Sequence, residues 1–353
     1  MFRKSGELAR ACDVVNDVVA RRDGSAFEPA MERLVRAIRK ARAAELGDAV
    51  ERLTPALDRV ALSGGGALAQ VVGAIAEENL SVLPVLVRRA AEAMEEAARF
   101  AALHREAIGE PPGSDFEPAI EPTLERVREA APKMGLTGDE AVALAWTWFS
   151  GNDWVQPVLY LAQRKDVRVA LPERERLTRV TTASTELLDT ASWLLGLLQV
   201  LDDEPLIVLH RGTGRGYRVT ISGVGDNFQL STLLAARLMG PEAQGLLPGV
   251  PPTKAMIAAA SDGEQEIRGG LVGQFNLVGA DGQWIWNEGR PADIPVQDGV
   301  RVVVLDPLPY SRSWNSGRLY SRMSPTVTVD GPLEPAEAEA WLAKVAPANP
   351  TGL

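Results

Sequence analysis

The sequence predicts an α+β protein: an all-helical N-terminal half of antiparallel helices, then a C-terminal α+β domain on a mixed sheet. Three observations lead there. From Gly6 to about Asp203, apolar residues recur every three to four positions, as in Leu8, Cys12, Val15, Val19 and in Leu187, Ala191, Leu194, Leu198, the spacing of one-sided helices. After Asp203 the spacing falls to two in Tyr217-Arg218-Val219-Thr220-Ile221, beside the apolar run Leu206-Ile207-Val208-Leu209; both patterns are strand-like. A hydrophobic content of 46% against 24% charged residues belongs to folded chains and not to disordered ones, and 353 residues suggest two domains, each able to bury a core.

In the helical half, Phe27 to His104 reads as successive helices of similar length, separated at Gly47-Asp48, Gly64-Gly65-Gly66 and Ser81. Their period is too loose to assign a repeat. Thr54 before Pro55, and Asn152 and Asp153 before Pro157, fit helix starts, where a capping oxygen precedes a proline that needs no donor. Residues 109–118, with their prolines and glycines, form a turn-rich break. The cluster Trp146, Trp148, Phe149 and Trp154 reads as core at the seam between the halves.

The C-terminal half opens with a hairpin linked by Arg211-Gly212-Thr213-Gly214-Arg215-Gly216. A helix follows from Asn227 to Met239, capped by Asp226 or Asn227 and stopped by Gly240-Pro241. Further strands are expected at 274–278, 283–287, 301–305 and 326–329, and a last helix at 334–345 with acidic residues in its first turn. The expected domains are 1–203 and 204–345, with residues 346–353 as a disordered tail.

Several chemistries find no support. The single cysteine, Cys12, lies on an apolar helical stripe and cannot form an internal disulfide or a C-x-x-C pair, which points to a cytoplasmic protein. The two histidines, His104 and His210, have no metal-ligand spacing, and no serine-elbow, P-loop or kinase motif occurs. No cofactor is implied, and no stretch has the length of a membrane span. A net charge of -10 disfavours a nucleic-acid partner.

Two segments could carry function. In the first, Gly223-Val224-Gly225 leads from a strand into the helix begun by Asn227, and Arg211, Arg215 and Arg218 lie in the preceding hairpin. Glycine amides, a helix N-terminus and arginines are the parts of an anion site. Two features weaken it: Phe228 stands where a dinucleotide fingerprint needs its third glycine, and Asp226 would repel the anion. The same stretch, Arg211 to Arg218, is similar to the wing hairpin of winged-helix response-regulator domains, which would imply DNA contact. That resemblance covers under a dozen residues; no basic recognition helix precedes it, and the helix after Asp226 does not belong to that fold.

In the second, made of residues 282–295 and 306–323, Trp284, Trp286, Tyr310, Trp314 and Tyr320 alternate with Arg290, Arg312, Arg318 and Arg322, and residues 307–323 contain no acid. Aromatics and arginines concentrate in binding hot spots. The leading expectation is a non-enzymatic interaction protein whose Arg/Trp surface takes a protein or peptide partner. The alternative is a small-molecule site or enzyme for an anionic ligand at Arg211, Arg215, Arg218, Gly223, Gly225 and Asn227, with Asp226 or Glu288 as its acid or base.

Overall fold

The computed structural model describes residues 6–110, 120–263 and 265–351. The fold is α+β, helices first and a mixed sheet after, and the chain divides into two compact units, Met1–Leu198 and Gln199–Leu353.

The first unit contains α1 (Gly6–Arg21), α2 (Gly24–Ile38), α3 (Ala43–Arg59), α4 (Gly66–Ile75), α5 (Leu83–Ile108), α6 (Ile120–Ala130), α7 (Gly138–Phe149), α8 (Gly151–Leu161), α9 (Lys165–Val169), α10 (Arg174–Ala183) and α11 (Asp189–Leu198). Helix α1 buries the stripe Leu8, Ala11, Cys12 and Val15, as its spacing requires. Helix α5 is the spine; Leu86, Ala90, Met94 and Phe100 are sealed along it, and α7, α8 and α10 pack against it. A capping box starts α7: Thr137 Oγ1 accepts the Glu140 N–H at 3.2 Å, and the Glu140 carboxylate accepts the Thr137 N–H at 2.7 Å.

Several local expectations are corrected. Gly47-Asp48 and Thr54-Pro55 lie inside α3, not at helix boundaries. The Thr54 hydroxyl donates back to the Val50 carbonyl at 2.8 Å, so it is spent within the helix and caps nothing. Helix α8 starts at Gly151, which puts Pro157 inside it. Of the aromatic cluster, Trp148 and Trp154 are buried whereas Trp146 is exposed. Within the break expected at 109–118, Gly109 closes α5 with φ +99; residues 111–118 lie outside the described residues.

The second unit contains β1 (Glu204–His210), β2 (Arg215–Ser222), α12 (Asn227–Leu238), α13 (Lys254–Ser261), β3 (Ile267–Val272), β4 (Asn276–Gly279), β5 (Val296–Gln297), β6 (Val300–Asp306), β7 (Ser313–Ser316), β8 (Thr326–Pro332) and α14 (Pro335–Leu342). The main sheet runs β4-β6-β1-β2-β8, with β5 also on β6. Strands β1 and β6 are parallel and the other pairs antiparallel. Leu206, Val208, Leu277, Val303 and Leu305 pack with Leu230, Leu234 and Leu238 of α12 on one face. Ile207, Leu209, Val278, Val302 and Val304 pack with Leu333 and Ala338 on the other. Cover on both faces explains why β1 and β6 are runs of apolar residues without alternation.

The expected strand at 283–287 reduces to one bridge, Val278 with Trp284, closed by the Gly279 N–H on the Gln283 carbonyl and the Ile285 N–H on the Leu277 carbonyl, both at 2.8 Å; a turn then carries the chain away. Strands β3 and β7 form a separate two-stranded sheet, neither of them among the expected strands. Residues 346–351 are not a free tail. The Ala346 N–H is held by the Ala280 carbonyl at 2.9 Å and the Asn349 N–H by the Gly282 carbonyl at 2.8 Å. No described helix is long and apolar enough to cross a membrane.

Candidate functional site

The glycine-rich hairpin forms as the sequence predicts, with Leu206 opposite Val219 and His210 opposite Arg215. Gly223 sits at φ +68, a conformation costly for any residue with a Cβ, and its N–H is taken by the Leu201 carbonyl at 2.9 Å. Asp226 caps α12 by accepting the Gln229 N–H at 2.8 Å. The neighbouring amides are occupied as well: Asn227 N–H on the Gly289 carbonyl at 3.0 Å, Phe228 N–H on the Asn287 carbonyl at 3.1 Å, Gly225 N–H on Gln229 Oε1 at 2.8 Å. Donors spent on the protein's own chain do not point at a ligand.

Nor do the arginines converge there. Arg211 Nε donates to Asp306 Oδ1 at 2.7 Å, Arg215 to the Leu246 carbonyl at 3.1 Å, and Arg218 to both carboxylate oxygens of Glu337 at 2.7 Å. Arg211 and Arg215 flank the hairpin turn, at the opposite end of β2 from Gly223. The six residues expected to share an anion site are therefore spread from the hairpin turn to the start of α12, each with its own internal partner or structural task.

Burial raises the Asp226 carboxyl from 3.8 to about 6, partly offset by the backbone amides of Gln229 and Phe228. The adjacent Tyr320 phenol is pushed up to about 12, chiefly by burial, with Arg290 lowering it and Asp226 raising it. A carboxyl raised on folding binds its proton more tightly in the folded chain. Its stabilising contribution is complete below pH 3.8 and lost as pH rises through about 6. Asp226→Asn keeps the capping acceptor and removes the buried charge. It should raise stability by about 3 kcal/mol at pH 7.5 and change little at pH 4; urea titrations at the two pH values measure this, and equal effects at both would contradict it.

The second segment assembles in part. The Trp284 ring lies 5.5 Å from Trp286 and 6.3 Å from Tyr310, centroid to centroid. The Arg312 guanidinium sits 5.5 Å from the Tyr310 ring and 6.0 Å from that of Trp284, cation–π distances. Trp286 is 44% exposed and Tyr310 51%. Trp314, by contrast, turns away to Phe228, 5.9 Å between ring centroids, and its indole N–H reaches Thr232 Oγ1 at 3.2 Å. Arg290 donates to Gln199 Oε1 at 2.7 Å, and Arg318 to the carbonyls of Met323 and Gly263 at 2.9 and 2.8 Å; both act as braces.

What orders this surface is a set of groups that no linear pattern marks. Asp306 at the end of β6 and Asn276 at the start of β4 are register partners, both buried. Asp306 holds Arg211, and Asn276 Oδ1 accepts from Arg312. Arg211 also donates to the Ala346 carbonyl at 3.1 Å, and the Trp284 indole N–H to the Asn349 carbonyl at 2.7 Å. The segment 346–351 thus binds the Trp284 side of the cluster through main-chain carbonyls. His210, beside this hub, bonds Thr213 Oγ1 at 2.8 Å; burial lowers its pKa, Asp306 raises it and Arg215 lowers it. No family model, no curated protein and no solved structure matches this chain.

Proposed function

We propose that the protein is a non-enzymatic interaction protein of the cytoplasm, in which the helical unit is the scaffold and the second unit offers Trp284, Trp286, Tyr310 and Arg312 to a protein or peptide partner. One observation carries this reading: Trp284 lies between 5.5 and 6.3 Å from Trp286, Tyr310 and Arg312, and Arg312 lies 5.5 Å from Tyr310, with Trp286 and Tyr310 about half in solvent. Contiguous exposed aromatic surface of this kind is uncommon on a chain that has nothing to bind, and Trp, Tyr and Arg are the residues that dominate interface energies. Since residues 307–323 carry no acid in a chain of net charge -10, the surface suits a segment that pairs an apolar side chain with a carboxylate. A lone buried thiol, Cys12, agrees with a reducing compartment.

The test is a quantitative comparison of the proteins retained by the wild-type chain and by Trp286→Ala/Tyr310→Ala. Both side chains are about half exposed, so the double variant should stay folded with only a modest drop in melting temperature. A partner bound through these rings should be weakened by at least about 2 kcal/mol, roughly thirtyfold. A partner retained equally by both chains would defeat the proposal.

A further inference from the structure

A second, separate feature of this unit is a cavity of about 350 Å³ between α12, α13 and the β3/β7 sheet, walled by Trp314, Ser231, Thr232 and Met256 and rimmed by Val250 and Val272. We infer that it binds a small neutral aromatic molecule carrying one hydrogen-bonding group, stacked on Trp314 and bonded to Ser231. The volume lies at the lower end of ligand sites, enough for one or two fused rings and too little for a nucleotide. None of the lining residues is charged, and an ion entering such a site would lose its hydration without a counter-charge in return.

The wall is fixed in place. Trp314 is held by Thr232 and Phe228, and its ring passes so close to Gly273 that a Cβ there would lie 2.9 Å from it. Only glycine leaves the room.

The polar groups of the cavity are almost all spent. Thr232 Oγ1 donates to the Phe228 carbonyl at 2.8 Å. Gln274 receives the Val250 N–H at 2.9 Å and donates to the Val272 carbonyl at 3.1 Å; Thr253 Oγ1 caps α13. Thr253 keeps only its hydroxyl proton to give, whereas Ser231, 3% exposed and lining the cavity, has a hydroxyl with no hydrogen bond to any described residue. A hydroxyl that opens into the cavity with capacity to spare is what selects a ligand's single polar group. At the mouth, Val250 and Val272 are 72% and 52% exposed, apolar surface that a bound ring would cover.

Indole and benzoate are suitable probes, one neutral and one anionic, titrated into the full chain and followed by ligand-observed NMR. Indole should bind saturably and benzoate at least tenfold more weakly. Ser231→Leu, which fills the cavity, and Val272→Asp, which puts a charge on its rim, should each weaken indole at least tenfold. If Ser231→Leu does not fold, Val272→Asp at its exposed position decides. Absence of saturable indole binding, benzoate binding as well as indole, or indole affinity unchanged in Val272→Asp would each overturn the inference.

Discussion

Trp154→Ala should cost about 4 kcal/mol, within the range for truncating a sealed aromatic. Trp154 is 0% exposed and the largest fully buried side chain described. Its indole N–H donates to the Leu62 carbonyl at 2.9 Å, and the Arg89 guanidinium lies 5.1 Å from its ring. Arg89 is itself buried at 8% exposure and is further held by the Val60 carbonyl and Glu92. Truncation would open a cavity and strip the ring from a buried cation, and the close approach at Gly65, where a Cβ would fall 2.6 Å from the indole, shows how tightly this point is packed. Denaturant titration followed by helical circular dichroism measures the loss. A change below about 1 kcal/mol would mean that the surrounding helices collapse into the space.

Asp306→Ala should cost about 3 kcal/mol, since it leaves Arg211 without its partner where the carboxylate side chain is only 6% exposed. Arg211 is 33% exposed, so water repays part of the loss and the lower end of the range applies. The effect should spread: with Arg211 released, its bond to the Ala346 carbonyl weakens, and amide exchange at Ala346 and Asn349 should quicken. Asp306→Asn, which retains an acceptor, should lose about half as much. Unaltered exchange at those amides in Asp306→Ala would separate the Asp306–Arg211 pair from the ordering of the segment.

How much of this was legible in the sequence depends on where each interaction lives. The β1–β2 hairpin could be read from the alternation at Tyr217 to Ile221, and the cap narrowed to Asp226 or Asn227, because both are local patterns; the register and the choice of Asp226 come from the structure. Strand β3 was hidden: Ile-Arg-Gly-Gly-Leu-Val breaks alternation with two glycines at φ +68 and +79, and its pairing with β7 shifts register between Ile267 and Leu271. Gly47 and Pro55 misled as punctuation because packing outweighs local propensity inside α3.

At the surface, the aromatic and arginine composition was visible, but not which members meet. Trp284 and Tyr310 come together only through pairing of strands distant in sequence, and Trp314 departs for a different cavity. The order of residues 346–351 had no local signature, since most of its bonds use the segment's own main chain, paired with Ala280, Gly282, Arg211 and Trp284 far away in sequence.

The parallel pairing of β1 with β6 also sets a schedule for biosynthesis. As the nascent chain emerges, β1 and β2 close on each other at once, but the other edge of β1 must wait for residues 301–305 to be translated. Throughout that interval an apolar strand edge stands open to any neighbouring polypeptide. Synthesis that stalls after the hairpin should thus yield an aggregation-prone product, and chaperones should engage the chain there.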